Sequence, residues 1–387
     1  MKRVAIRVLV ALPVLMGGCG PTNVAVQPTE PPASSASSVS PGPSSCPPKS
    51  GTPSPSVGSQ SCQLAVAEFS SAPGQTPVAH GGGFLRLPSA TYSADSAAQV
   101  VPLPDPNRDG LWETVAQPVL IGDGGPTYDR TLRRWLPVPA SQVSPDGTHY
   151  VYEDLVLPPR VTPGAGPVVY LPRLHLVDLT NGQDHVVPSA SLPVAVGVVS
   201  YQADGIYLTA GCPEGCPADA NKLWQLDPKT GTVRKITDLQ GNGWMIANGS
   251  AWSAVNEAPA GSTPRFEVER VRLSDGSSSR WLAVTPPCTS SCRGPDAVGV
   301  DANGNLLVEL WIGDSVHLDR VTAAGQAEEL VTLLAQSEGS PYFVGGMVDQ
   351  RGTWFGTRQG LFVYSPTQGF RKVSGLPVVP ASGGAQT

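Results

Sequence analysis

Two interleaved series of glycine turns constrain this chain more than any other feature. The first series is Pro145-Asp146-Gly147, Ala203-Asp204-Gly205, Asn248-Gly249, Ala302-Asn303-Gly304 and Gln350-Arg351-Gly352. Each precedes a strand-like run: Thr148–Tyr152, Ile206–Thr209, Ala251–Val255, Asn305–Trp311 and Thr353–Gly356. The second series is Asn181-Gly182, Lys229-Thr230-Gly231, Asp275-Gly276, Ala324-Gly325 and Gln368-Gly369. These close the runs Leu174–Leu179, Lys222–Asp227, Glu267–Leu273, Val316–Val321 and Leu361–Ser365. Asp-Gly and Asn-Gly between apolar runs are hairpin signals, because glycine takes positive φ without steric cost. Each unit therefore reads strand, tight turn, strand, variable loop, strand, tight turn, strand, which is a four-stranded antiparallel sheet. First-series glycines stand 58, 44, 55 and 48 residues apart. A repeated four-stranded unit of that length predicts an all-β chain folded as a β-propeller.

Five units are explicit. A sixth comes from residues 80–138, with strands near Phe84–Leu87, Ala90–Ser93, Thr127–Asp129 and Arg134–Val138. Six blades is the expected count. A seventh stays open if Leu64–Phe69 and its neighbours build another sheet, and that strand can equally complete a terminal blade. Composition agrees: 43 glycines, 41 prolines and only 14% charged residues exclude a helical bundle or coiled coil. About two dozen short strands at this spacing exceed what a β-sandwich holds.

The first residues read as an address. Lys2, Arg3 and Arg7 precede an apolar run from Val8 to Met16, shorter than the roughly 20 residues that span a bilayer. Gly17-Gly18-Cys19 follows. This layout resembles a bacterial lipoprotein signal, with Met16 where leucine is usual. The resemblance implies that Cys19 is lipidated, that it becomes the first mature residue, and that the chain is anchored to a bacterial membrane on its extracytoplasmic side. Residues 20–61 are dominated by Pro, Ser, Gly and Thr and lack the apolar anchors a core needs. The expected division is thus a signal over 1–18, a disordered tether over 19–62, the propeller over 63–376 and a disordered tail over 377–387.

Setting Cys19 aside leaves three local pairs: Cys46 and Cys62, Cys212 and Cys216, Cys288 and Cys292. In an exported chain, even pairs read as disulfides. A four-thiolate zinc site built from the two Cys-x-x-x-Cys loops stays open as the alternative. The net charge is −6 although the leader carries three basic residues and no acid, which argues against a nucleic-acid partner.

Three of the turns resemble known propeller repeats. Ser144-Pro-Asp-Gly-Thr-His-Tyr-Val-Tyr152 resembles the TolB-type repeat. Val300-Asp-Ala-Asn-Gly-Asn-Leu-Leu-Val308 is similar to repeats of the NHL and lactonase-like propellers. Asp349-Gln-Arg-Gly-Thr-Trp-Phe-Gly-Thr357, with Gly360-Leu361, resembles the repeat of two-component regulator propellers. Each match covers about ten turn and strand positions. Together they imply the fold and say almost nothing of function.

Loop lengths distinguish the two faces of such a ring. From first-series to second-series glycine the separations are 35, 26, 27, 21 and 17 residues, so the excess falls in the loops between second and third strands. Both Cys-x-x-x-Cys segments lie on that same face. Elaborated loops on a rigid scaffold are where binding concentrates. The candidate binding side chains there are Glu153, Asp154, Arg160, Glu214, Asp219, Glu257, Arg293, Trp311, Asp314 and Arg358. Acidic residues near a propeller mouth can hold Ca²⁺ or Mg²⁺, although no cofactor is specifically predicted. No Gly-x-Ser-x-Gly elbow, His-Glu-x-x-His or phosphate loop occurs, and neither Asp146 nor Asp349 has the Asp-to-Gly spacing of a sialidase Asp-box. The five histidines are scattered; His175 and His317 sit in strand patterns and read as packed or surface residues. The leading expectation is a monomeric, membrane-anchored module that binds a protein or glycan through its long-loop face. The alternative is a propeller enzyme, either a metal-dependent lactonase-like hydrolase or a quinoprotein sugar dehydrogenase.

Overall fold

A computed structural model describes residues 62–70, 78–98, 125–156, 171–187, 196–210, 221–256, 265–284, 295–313, 315–334, 343–349 and 351–383. Their strands, in chain order, are β1 (Cys62–Ser70), β2 (Val78–Leu87), β3 (Thr91–Ala94), β4 (Thr127–Asp129), β5 (Arg134–Leu136), β6 (His149–Val156), β7 (Leu171–Asp178) and β8 (Asp184–Val186). Next come β9 (Val196–Gln202), β10 (Gly205–Ala210), β11 (Leu223–Leu226), β12 (Val233–Lys235), β13 (Asn242–Ala247), β14 (Ser250–Asn256), β15 (Phe266–Arg272) and β16 (Ser278–Val284). The series ends with β17 (Asp296–Val300), β18 (Leu306–Ile312), β19 (Ser315–Ala323), β20 (Gln326–Leu334), β21 (Val344–Asp349), β22 (Gly352–Thr357), β23 (Gly360–Ser365), β24 (Gly369–Ser374), β25 (Val378–Pro380) and β26 (Ser382–Gly383).

The chain is an all-β propeller of small sheets. Four sheets, β9–β12, β13–β16, β17–β20 and β21–β24, run outward strand by strand through antiparallel neighbours. A fifth four-stranded sheet has the order β25-β1-β2-β3, and two three-stranded sheets are β26-β4-β5 and β6-β7-β8. Residues 80–138, expected as one unit, therefore contribute to two sheets, and seven hydrogen-bonded sheets are present among the described residues. Leu64–Phe69 belongs to β1 and does complete a terminal sheet, because the C-terminal β25 pairs with it. The tail expected to be disordered from residue 377 instead supplies β25 and β26.

The core is a ring of layers between neighbouring sheets. Ile206 and Leu208 of β10 pack on Val151 and Leu174, while the intervening Tyr207 packs on Ala251 and Val271 of the sheet on the other side. In β18, Leu306 and Val308 face Trp252 and Val268, and Leu307 faces Phe355 and Tyr364. Side chains alternate across a strand, so a strand buried on both faces must be apolar at successive positions. That is why the second strands read as unbroken apolar runs. Each fully buried side chain of this size contributes about 1.5–3 kcal/mol.

The three repeat-like motifs are turn caps. Asp301 is buried and accepts from the backbone N–H groups of Asn303 at 2.8 Å and Asn305 at 2.9 Å. Asp349 accepts from the Arg351 N–H at 2.8 Å and from Trp354 Nε1 at 2.9 Å. Asp146 accepts from Ser144 Oγ at 2.6 Å and from the Thr148 N–H at 3.0 Å. The five second-series glycines have φ between 70° and 74°, so one turn geometry recurs in five sheets. At Gly352 the demand is different. A Cβ there would lie 1.9 Å from the Tyr364 carbonyl oxygen, so the start of β22 must approach β23 too closely for any side chain.

Ring closure depends on a comparable contact. Val66, Ala67 and Glu68 pair with Pro380, Val379 and Val378. A Cβ on Gly356 of β22 would meet Val379 Cγ1 at 2.2 Å and the Val378 carbonyl oxygen at 2.6 Å. Gly356→Ala is expected to destabilise the fold by about 1–3 kcal/mol through overpacking against the closing strand. A urea melt read by tryptophan fluorescence checks this.

Candidate functional site

The strand ends confirm two unlike faces. On one face, neighbouring strands are joined by short turns such as Ala203-Asp204, Asn248-Gly249 and Ala324-Gly325. On the other, the connections between second and third strands span 157–170, 211–222 and 257–265 in three sheets and shrink to 313–314 and 358–359 in two. The first two intervals contain Arg160, and Cys212 with Cys216, Glu214 and Asp219; the third contains Glu257. The link 285–295 between β16 and β17 contains Cys288, Cys292 and Arg293. These residues and Asp314 lie outside the described residues, as do Cys19 and Cys46.

Glu153 and Trp311 lie against neighbouring sheets. Glu153 lies in β6, and its Oε1 faces Gly197 of β9 in the neighbouring sheet, 4.0 Å from where a Cβ would stand. Its Oε2 is buried. Asp154 follows in the same strand. Trp311, near the end of β18, packs beside the cluster of Leu307, Val316 and Phe355, and its Nε1 donates to Glu309 Oε1 at 2.6 Å. Arg358 occupies the two-residue turn between β22 and β23. Cys62 opens β1, where its Sγ accepts from Arg351 Nη1 at 3.3 Å.

Two buried acids were not singled out in the sequence. Glu309 is 2% exposed, and its Oε2 accepts from the Phe343 N–H at 2.8 Å. It thereby ties a second strand to the link that enters the next sheet. Its signal was an acid inside the run Leu306-Leu-Val-Glu-Leu-Trp-Ile312. Glu267 at the start of β15 is equally buried and is bracketed by Arg280 Nε at 2.5 Å and Arg265 Nε at 3.7 Å. Removing both arginines would leave a buried carboxylate without an opposite charge.

Two further polar clusters occupy outer strands. His175 is packed as expected: it is buried, stacked on Tyr152 at 4.6 Å, and its Nδ1 lies 3.0 Å from Asp184 Oδ1. Tyr152 donates to the other Asp184 oxygen at 2.9 Å. In the β17–β20 sheet, His317 Nδ1 lies 2.9 Å from Glu329 Oε2, and Thr332 donates to Glu329 Oε1 at 2.7 Å. Those bonds, that from Thr332 foremost, hold the Glu329 carboxyl below its ordinary value. Asp319 is directly opposite Glu329 in register. Burial first, and then the Glu329 charge, raise its carboxyl above the ordinary value, and its Oδ1 is buried without a hydrogen-bond partner. Among the described residues no three His, Cys, Asp or Glu side chains converge as metal ligands, and no helix is long and apolar enough to cross a membrane.

No protein-family model matches the chain, and no curated protein matches it. Solved structures do align with it, at low identity. A putative 6-phosphogluconolactonase from Bacteroides fragilis is 13% identical, with a TM-score of 0.39, over 86% of this chain and 98% of that one. Regucalcin, a calcium-binding protein from Agrobacterium tumefaciens, is 14% identical, with a TM-score of 0.36, over 71% and 78%. A chain of a nidogen/laminin complex is 9% identical, with a TM-score of 0.40, over 84% and 100%. At these scores the likenesses carry no argument about activity, and the propeller assignment stands on the sheets themselves.

The raised Asp319 carboxyl has a signed consequence. The folded form keeps this proton to a higher pH than the unfolded chain does, so stability falls as pH rises through that interval. Asp319→Asn is expected to raise the melting temperature at pH 7 by about 1–3 °C. The difference should close below about pH 4, where the unfolded carboxyl is also protonated. Scanning calorimetry across pH 3–8 measures it.

Proposed function

We propose that this chain is an extracytoplasmic propeller, lipid-anchored through Cys19, that binds a protein or glycan partner through its long-loop face. The observation that carries the reading is the asymmetry of the ring: tight, capped turns on one face and long connections on the other. Binding loops are ordinarily mounted on rigid strands in this manner. The position of Cys62 supports the orientation. It pairs with Leu87, beside the tight turn that leads into β3, so the chain enters the propeller on the tight-turn face. A tether attached there leaves the long loops pointing away from the membrane. Pairing of Cys46 with Cys62, and of the cysteines within each Cys-x-x-x-Cys segment, belongs to this reading, as does a monomeric state.

Two experiments test the two halves of the proposal. Cys19→Ala should abolish metabolic labelling by fatty acid and move the exported chain from the membrane to the soluble fraction; unchanged fractionation removes the anchor. Combined Asp219→Lys, Arg293→Glu and Asp314→Lys should erase discrete surface cross-links in intact cells while leaving the melting temperature within about 2 °C, since loop charges contribute little to stability. Equal cross-linking by the variant and the wild type removes the long-loop face as the binding surface.

A further inference from the structure

The hairpin end of the β13–β16 sheet carries a second, chemically distinct surface. Strands β15 and β16 meet there in the turn Leu273-Ser-Asp-Gly-Ser277. Arg270 and Arg272 are two apart on β15, so they lie on one face of the sheet. Ser279 is the register partner of Arg270, and the Arg272 N–H donates to the Ser277 carbonyl at 2.9 Å. With Ser278, these residues line a shallow pocket of about 100 Å³.

The arginines are unequally engaged. Arg272 Nη1 is bound to Asp275 Oδ2 at 2.9 Å, and Ser277 Oγ donates to Asp275 Oδ1 at 2.6 Å. Asp275 is thus consumed by the turn, and its carboxyl is held at about 2, chiefly by the Ser277 bonds. Arg270 is held from behind. Its Nε donates to Ser250 Oγ, a buried hydroxyl, at 2.9 Å. Its guanidinium carbon lies 5.0 Å from the Trp281 ring centre and 5.8 Å from that of Trp252. Among the described residues its two terminal nitrogens have no hydrogen-bond partner. A guanidinium fixed by stacking and by its Nε, with the terminal fork unused, is preorganised for an oxyanion. The exposed hydroxyl of Ser279, on the same face as its register partner Arg270, adds a neutral donor beside it.

We propose that this pocket binds a tetrahedral oxyanion, the phosphate or sulfate group of a modified partner, with Arg270 as the anchoring fork. It is separate from the long-loop surface and does not depend on that proposal.

The test uses the full chain labelled with ¹⁵N at tryptophan. The indole groups of Trp252 and Trp281 are adjacent reporters, and their buried Nε1 atoms have no hydrogen-bond partner that would mask a shift. Titration with inorganic phosphate or sulfate at constant ionic strength should shift both signals saturably. Ser279→Glu, an exposed change that places a carboxylate in the pocket, should weaken binding at least about tenfold, with the remaining indole signals unmoved. Arg270→Gln should abolish binding. Tighter binding of phosphate as pH rises through neutrality, where inorganic phosphate gains its second charge, assigns a phosphate group; a pH-independent preference for sulfate assigns a sulfate group. Either result supports the pocket. A response that is linear in salt, equal in chloride, or retained by Ser279→Glu overturns it.

Discussion

Closure of the ring rests on the short strand Val378–Pro380. It is added to β1 as the last strand of a sheet whose other members lie near the start of the domain. All three of its residues are buried, and the next residue, Ala381, donates its N–H to the Ala65 carbonyl at 2.9 Å. Two residues further on, β26 pairs with β4 of the following sheet. One segment thus joins the end of the chain to two sheets at its beginning. The sheet of β25 and β1 also packs Leu64, Val66 and Leu85 on Trp354, Leu361 and Val363 of β22 and β23. Pairing of β25 with β1 closes a loop of some three hundred residues, whose entropic cost grows only with the logarithm of its length. The fit of β22 against the closing strand at Gly356 and Val379 is correspondingly close.

The layers between sheets are where polar chemistry is concentrated. Glu309 and Glu267 are buried carboxylates, each supplied with hydrogen bonds or opposite charge, and each lies near the end of its strand that faces the long connections. Glu309 ties its sheet to the entry of the next, while Glu267 braces β15 against β16 within one sheet. Asp319 contrasts with them, since one of its oxygens is buried and unsatisfied. The scaffold under the long-loop face is therefore cross-braced by charge, while the tight-turn face is braced by aspartate caps on backbone N–H groups. The two devices use the same side-chain chemistry, and among the caps Asp301 is itself buried.

Much of this was legible in the sequence. The second and third strands matched their apolar runs to within a few residues, because both faces are buried and the flanking glycines mark the turns. Inner strands such as Val196–Gln202 and Asp296–Val300 were not legible, since they are half-exposed and mix glycine with small apolar residues. The closing strand was missed because a pairing between Val66 and Pro380 leaves no local periodicity, only the short run Val378-Val379. For the candidate site, chain position put Glu153 and Trp311 on strands that lead into the connections between second and third strands. It did not distinguish a side chain turned toward solvent from one turned into the neighbouring sheet. That choice is made by the sheet next door, whose Gly197 leaves room beside Glu153.

The entry point at Cys62 has a mechanical meaning. A pull delivered there acts along β1, which is paired over nine residues with β2 on one side and over three with β25 on the other. Inter-strand hydrogen bonds lie across the strand direction, so the load is shared in shear among many bonds and cannot open them one at a time. An outer strand such as Thr91–Ala94, bonded on one side only, would peel. With β1 in the interior of a sheet, tension applied at Cys62 loads hydrogen bonds on both of its sides in shear.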